Sequence, residues 1–234
     1  MIASADGYRG GWVVAQSAGW PCGATPDMRL CGTFLDVIAA TQGCDILVVD
    51  MPIGLPDQGC RACDGLGRKE LGTAGQSRVF YAPPRPALAA QDWDQFKQLH
   101  WQGNGCGLSK QVYGLCIRLI DVDRVMTPAR QARIMEFHPE LAWARLGGAT
   151  LPSKHTAAGI LARLRLLRPC VPGIDVIDTV HVEASASPGI DDLLDAVVGL
   201  CVAAAILAKL SPPYRLPVQN PPVDSKGLRM EIWY

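Results

Sequence analysis

The sequence predicts an α/β fold in which five short strands are interleaved with apolar helices. Three observations carry this reading. Residues 1–17 hold two apolar runs on either side of the turn Gly7-Tyr8-Arg9-Gly10-Gly11, which is the signature of a hairpin. Residues 45–51 are built on the continuous run Ile46-Leu47-Val48-Val49 and closed by Pro52 and Pro56, as expected of a central strand buried on both faces. Residues 190–210 are apolar on nearly all sides, as expected of a long buried helix.

The remaining elements follow in order. Residues 28–34 suit a third strand and 35–40 a short helix. After residue 57 Gly, Pro and Arg become frequent and strand alternation stops. The segment 58–133 therefore reads as a helical insertion after the fourth strand, with helices near 62–71, 86–101 and 109–125. Too few apolar residues fall there for a separate core, so residues 1–234 form one domain. Residues 133–137 resume a strand, and Pro139 opens a helix carrying Leu141, Trp143 and Leu146. Residues 156–167 place Ile160, Leu161, Leu164 and Leu167 on one helical face, and 227–234 suit a last edge strand.

Composition narrows the function classes. With 49% hydrophobic and 19% charged residues in 234, the chain can bury a substantial core. The longest uncharged apolar stretch, 196–208, falls short of the ~20 residues a membrane span needs, and no signal segment precedes the first strand. The expectation is a cytoplasmic protein without membrane contact. The nine cysteines are odd in number and several lie in apolar runs, which suits reduced core residues better than a disulfide framework. Cys60-Arg-Ala-Cys63 is a lone CxxC, without the second Cys or His pair a zinc site requires. The formal net charge of zero argues against a simple polybasic nucleic-acid binder. Residues 58–133 nevertheless hold eleven Lys/Arg against six Asp/Glu, an excess that reads either as a phosphate-binding surface or as a solvated helical one.

Carboxylates at the ends of apolar elements are the candidate site residues. Desolvating a carboxylate costs several kcal/mol unless a cation or hydrogen bonds compensate. Asp6 closes the first strand, where it serves either as a turn residue or as a metal ligand. Asp50 follows the central strand, at the sheet edge where ligands of α/β proteins bind. Asp192 and Asp195 share a helix face. Asp191 or Asp192 can cap that helix, but Asp195 lies too far in to cap and requires a cation. Glu136 adds a further carboxylate, with His138 beside it as a general base, a phosphate contact or a packed polar residue. His100, His155 and His181 have no such context. Strand-end acids converging on an acidic helix would form a hard-oxygen cage for Mg²⁺ or Mn²⁺.

Several ordered blocks resemble the domain-of-unknown-function 429 family, a group of predicted nucleases of RNase H-like fold. They include DGYRGGWVVA, VVDMPIGLP, RACDGLGRKELG, RVFYAPPRPAL, EFHPELAWARL and DDLLDAVVGL, and they cover nearly the whole chain. The resemblance implies a mixed five-stranded sheet with helices on both sides. The DxxDA form of Asp192 to Ala196 is similar to the final helix of RuvC-type resolvases. By that likeness, Asp6, Asp50, Asp192 and Asp195 would hold two divalent ions, about 3.5–4 Å apart in such sites. Glu136 is extra to the four-acid scheme, and the large insertion departs from a minimal RNase H.

The expected function is metal-dependent hydrolysis of nucleic acid, DNA or RNA, with Asp6, Asp50, Glu136, Asp192 and Asp195 as catalytic acids. Arg9, Arg61, Arg68, Arg85, Lys110, His138 and Lys154 are the expected substrate contacts. Two other classes remain open. Asp6-Gly-Tyr-Arg-Gly-Gly resembles the phosphate turn of actin-like kinases, which would give a nucleotide-dependent phosphotransferase, although no second such turn follows. A non-catalytic binding module with structural acids is the other.

Overall fold

The computed structural model describes residues 1–174, 187–210 and 214–234; His181 lies outside them. Five strands form one sheet: β1 (Ile2–Tyr8), β2 (Gly11–Ser17), β3 (Asp27–Cys31), β4 (Ile46–Val49) and β5 (Ile134–Glu136). Their order is β3-β2-β1-β4-β5. The hairpin β1–β2 and the pair β2–β3 are antiparallel, whereas β1–β4 and β4–β5 are parallel. The sheet is therefore mixed.

Strand alternation divides the core into two layers. Ala3, Ala5, Trp12, Val14, Leu47, Val49 and Ile134 face one side. There they meet Phe34 and Val37 of α1 (Phe34–Ala40). They also meet Leu119, Val122 and Val125 of a later long helix. Ile2, Val13, Ala15, Ile46 and Val48 face the other side, which is covered by the helices of the C-terminal half. Both faces are thus apolar, which explains why β4 reads as an unbroken hydrophobic run. Thr33 fixes the start of α1: its hydroxyl accepts from the Asp36 N–H, and the Asp36 carboxylate accepts from the Thr33 N–H in return.

The segment between β4 and β5 is helical, as expected. It comprises α2 (Ala62–Glu70), α3 (Gly72–Gly75), α4 (Trp93–Gln102), α5 (Lys110–Val125) and α6 (Pro128–Gln131). Its long helix α5 is the one that covers the sheet beside α1, while α4 builds a satellite cluster with it through Phe96, Val112 and Cys116. The single helix expected over 86–101 is instead a 3₁₀ turn at Arg85–Ala89 followed by α4. Asp92 separates the two, because its side chain accepts from the Gln95 N–H and starts a new helix there.

After β5 come α7 (Pro139–Gly147), α8 (Ala157–Leu167) and α9 (Ile190–Leu207), all packed on the second face. The edge strand expected over 227–234 is short. It pairs β6 (Arg215–Leu216) with β7 (Ile232–Trp233) in a separate two-stranded sheet. Cys60 and Cys106 form a disulfide with Cα atoms 5.7 Å apart, which corrects the expectation of reduced thiols at both positions. The 103–107 loop folds back on the start of α2, where the Gly59 N–H donates to the Gly103 carbonyl at 2.6 Å. Cys63, its CxxC partner in sequence, is buried and free. Among the described residues no helix is long and apolar enough to cross a membrane.

Candidate functional site

The parallel register of β1 and β4 brings the first two acids together. Ala5 pairs with Val49, and the Asp50 N–H donates to the Ala5 carbonyl at 3.0 Å. Asp6 and Asp50 therefore stand side by side one step further along. By alternation they share the face of Ile2, Ser4, Ile46 and Val48, which α9 covers.

Helix α9 approaches that face closely because position 199 is glycine. A Cβ there would lie 1.9 Å from the Ser4 Oγ and 2.8 Å from the Phe137 ring. Asp195 lies one turn before Gly199 and Asp192 nearly two, so both meet the strand-end acids. Asp6, Asp50, Asp192 and Asp195 consequently line one cleft of about 380 Å³. Gly189 is the N-cap of α9, and Asp192 accepts its N–H at 2.8 Å.

Asp195 has the cation its position called for. Its Oδ2 accepts from the Lys154 ammonium at 2.7 Å and its Oδ1 from the Trp143 indole N–H at 2.7 Å. Lys154 sits in the α7–α8 turn, where the Thr156 hydroxyl donates to the Ser153 carbonyl at 2.8 Å and accepts from the Gly159 N–H. Asp191 lies 3.5 Å from Lys154 and 3.8 Å from His155 Nδ1.

Burial dominates the electrostatics, and crowding of the carboxylates adds to it. Burial, with Asp50 and Asp195 adding to it, pushes Asp6 well above the usual carboxylate range, against the pull of Lys154. Burial raises Asp50 to about 7, with Asp195 adding; Lys154 and a hydrogen bond with Asp6 act the other way. Asp192 is raised by its burial. Burial works against the charged form of Lys154, but Asp195, Asp6 and Asp50 outweigh it and hold the ammonium protonated.

Glu136 does not join this group. It pairs with Val49, so its side chain emerges on the face opposite Asp50. There the buried Arg61 guanidinium takes both carboxylate oxygens, at 2.5 and 2.8 Å, and also holds Asp64 at 2.7 Å. The Ile53 N–H adds a further bond to Glu136. This is a closed structural ion pair, so Glu136 is not a free acid in the cleft and Arg61 is not a free cation.

The other expected substrate contacts divide. Arg68 donates to the Val79 carbonyl and lies over the Tyr81 ring. Arg85 is held by Asp123 and Asp224. Arg9 and Lys110 are exposed; Gly7 and Gln111, close to them in the chain, line the cleft. His138 lines the cleft with its buried Nδ1 unpartnered, and burial lowers its pKa.

Three residues at the site had no distinct signal in the sequence. Arg78 lines the cleft and binds Glu140 at 2.6 Å. Trp143 read only as core. Arg118 lies over the Trp12 ring against Gly7, close enough to Asp6 and Asp192 to feel their charge.

By donor chemistry the cleft suits a hard divalent cation, because among the described residues Asp6, Asp50 and Asp192 offer carboxylate oxygens with no direct ion pair, whereas Asp195 is held by Lys154. Among the described residues, no three His, Cys, Asp or Glu side chains already stand at ligand spacing.

The fold and site define an α/β protein with a carboxylate cleft at the C-terminal edge of a mixed sheet. A family model described as "Protein of unknown function (DUF429)" matches residues 5–214, and the chain belongs to that family. Neither a curated protein nor a solved structure matches it.

Proposed function

We propose that the chain is a divalent-metal-dependent nuclease of RNase H-like fold, hydrolysing phosphodiester bonds of nucleic acid with Mg²⁺ or Mn²⁺. The observation that carries this reading is the meeting of Asp6, Asp50, Asp192 and Asp195, from two strand ends and one helix, in a single cleft. A mixed five-stranded sheet with helices on both faces is the setting in which the RNase H-like resemblance expects such acids.

Asp6 and Asp50 would hold the metal, with Asp192 beside them. The bound ion would activate a water and offset charge on the phosphate. In the hydrolysis the water oxygen bonds to phosphorus, the phosphorus–oxygen bond to the sugar breaks, and the departing oxygen gains a proton. The chain's own groups prepare this step. Lys154 and Trp143 fix Asp195, and Arg78, paired with Glu140, brings a guanidinium to the cleft lining for a phosphate oxygen.

The test is cleavage of labelled single-stranded and duplex DNA and RNA with Mg²⁺, Mn²⁺ or EDTA, wild type against Asp50→Asn. Metal-dependent cleavage lost in the variant is the expected result. Wild-type protein inactive on all substrates with either metal overturns the reading.

A further inference from the structure

We propose that the cleft accepts a single nucleotide unit, either a free nucleoside phosphate or the end of a single strand, with its base against Phe80, and not a length of duplex. The inference rests on the phosphodiesterase reading of the same cleft and names its substrate class.

Size is the first argument. A cleft of about 380 Å³ lies at the small end of the range for small-molecule pockets, about 300–1,000 Å³. Recognition of a duplex spreads instead over on the order of 1,000 Å² of protein surface.

Charge is the second. A duplex is gripped through many phosphates, each needing a free cation. Three of the arginines in the basic segment are committed internally: Arg61 to Glu136 and Asp64, Arg68 to a carbonyl and the Tyr81 ring, and Arg85 to Asp123 and Asp224. Among the described residues the lysines and arginines lining the cleft are Arg78 and Lys154. Each already shares a carboxylate, and together they suit one phosphate group rather than a track of them.

The third argument is the aromatic and amide part of the cleft lining. Phe80 is half-buried, anchored against the Phe96 and Val112 cluster, and lines the cleft with Leu115 and Gln111 of α5. An anchored ring gives any base a stacking surface, and an exposed glutamine amide offers a donor and an acceptor to a base edge. His138 lines the same cleft, and its buried Nδ1 has no hydrogen-bond partner among the described residues.

Calorimetry tests this with adenosine 5′-monophosphate, ribose 5-phosphate, a single-stranded trinucleotide and a duplex closed by hairpins at both ends. Each is titrated in EDTA and in Mn²⁺ against wild type, Phe80→Leu and Phe80→Ala. The leucine variant retains an apolar side chain against the anchoring cluster, and melting curves confirm that both variants fold. Wild type should bind the monophosphate or the trinucleotide about tenfold more tightly than ribose 5-phosphate, and both variants should lose that advantage. A tighter monophosphate identifies a free nucleotide as the ligand; a tighter trinucleotide identifies a strand end. Closed duplex binding as tightly as the trinucleotide, affinity for the tighter of monophosphate and trinucleotide indifferent to Phe80, or no binding of any probe overturns the proposal. Cleavage is assayed separately. Phe80-dependent binding without hydrolysis would remove the nuclease reading and leave the nucleotide site. Cleavage of closed duplex without nucleotide binding would do the reverse.

Discussion

Gly199 of α9 rests on Ser4 of β1 so closely that a methyl group there would stand 1.9 Å from the serine oxygen. This contact sets the height of the helix over the sheet and therefore the distance of Asp195 and Asp192 from Asp6 and Asp50. Gly199→Ala must lift the helix or displace Ser4, and overpacking of this kind costs about 1–3 kcal/mol. The expected outcome is a lower melting temperature together with weaker Mn²⁺ binding. Unchanged metal affinity in a folded variant would separate the helix position from the site.

Asp50→Asn removes one charge from a crowded group while keeping its shape. Relief of repulsion from Asp195 should raise the metal-free melting temperature at pH 7.5 by ~2–4 °C if it is worth ~1 kcal/mol. A marked drop would instead show that the charge is structural.

Burial, with the crowding added to it, predicts a pH dependence. The Asp50 carboxyl titrates near 4 in the unfolded chain and at about 7 in the folded protein. Between these values the folded state holds a proton that the unfolded chain has released, so this group's contribution to stability falls as pH rises through that window. Metal-free melting curves from pH 4.5 to 7.5 should fall more steeply for wild type than for Asp50→Asn. Mn²⁺ affinity should rise over the same interval, because the proton must leave before the ligand binds.

Lys154→Met leaves the Asp195 carboxylate, 1% exposed, with only the Trp143 indole as partner. Breaking a buried pair costs about 3–5 kcal/mol; the partial exposure of Lys154 places this one toward the lower end. Thermal melts should show the loss, and Mn²⁺ should stabilise the variant more than wild type by supplying the missing charge.

Arg61→Met tests the opposite face. It strands Glu136 and Asp64, so the same large loss of stability is expected. The salt dependence of nucleic-acid binding by the folded fraction should be unchanged. A shallower slope would return Arg61 to the substrate.

Much of the frame was legible because it depends on local pattern. The unbroken run 46–49, the Gly-rich hairpin and the apolar stretch after Ile190 each map onto an observed element. The lone acid inside α9 signalled a need for a cation, although Lys154 as its direct partner is visible only in three dimensions. Glu136 was misplaced because a strand of three residues does not reveal its register, and one position decides the face. Arg61, Arg68 and Arg85 looked available because a sequence displays charges without the partners that fold onto them. The Cys60–Cys106 pairing spans 46 residues and follows from the path of a loop whose spacing carries no marker.

Glu136 and Asp50 end neighbouring strands and point opposite ways, and they differ in where their neutralising charge comes from. Glu136 has a permanent guanidinium grown from its own chain, although burial still raises its carboxyl to about 7 against the pull of Arg61. Among the described residues Asp50 and Asp6 have no such direct partner, and on the metal-binding proposal their charge would be met by a proton or by a cation from solution. One edge of a single sheet thus carries an acid paired from within and two acids without such a partner. On that proposal the protein's stability would report the divalent ions around it, and a chelator should shift its melting temperature where a change of monovalent salt does not.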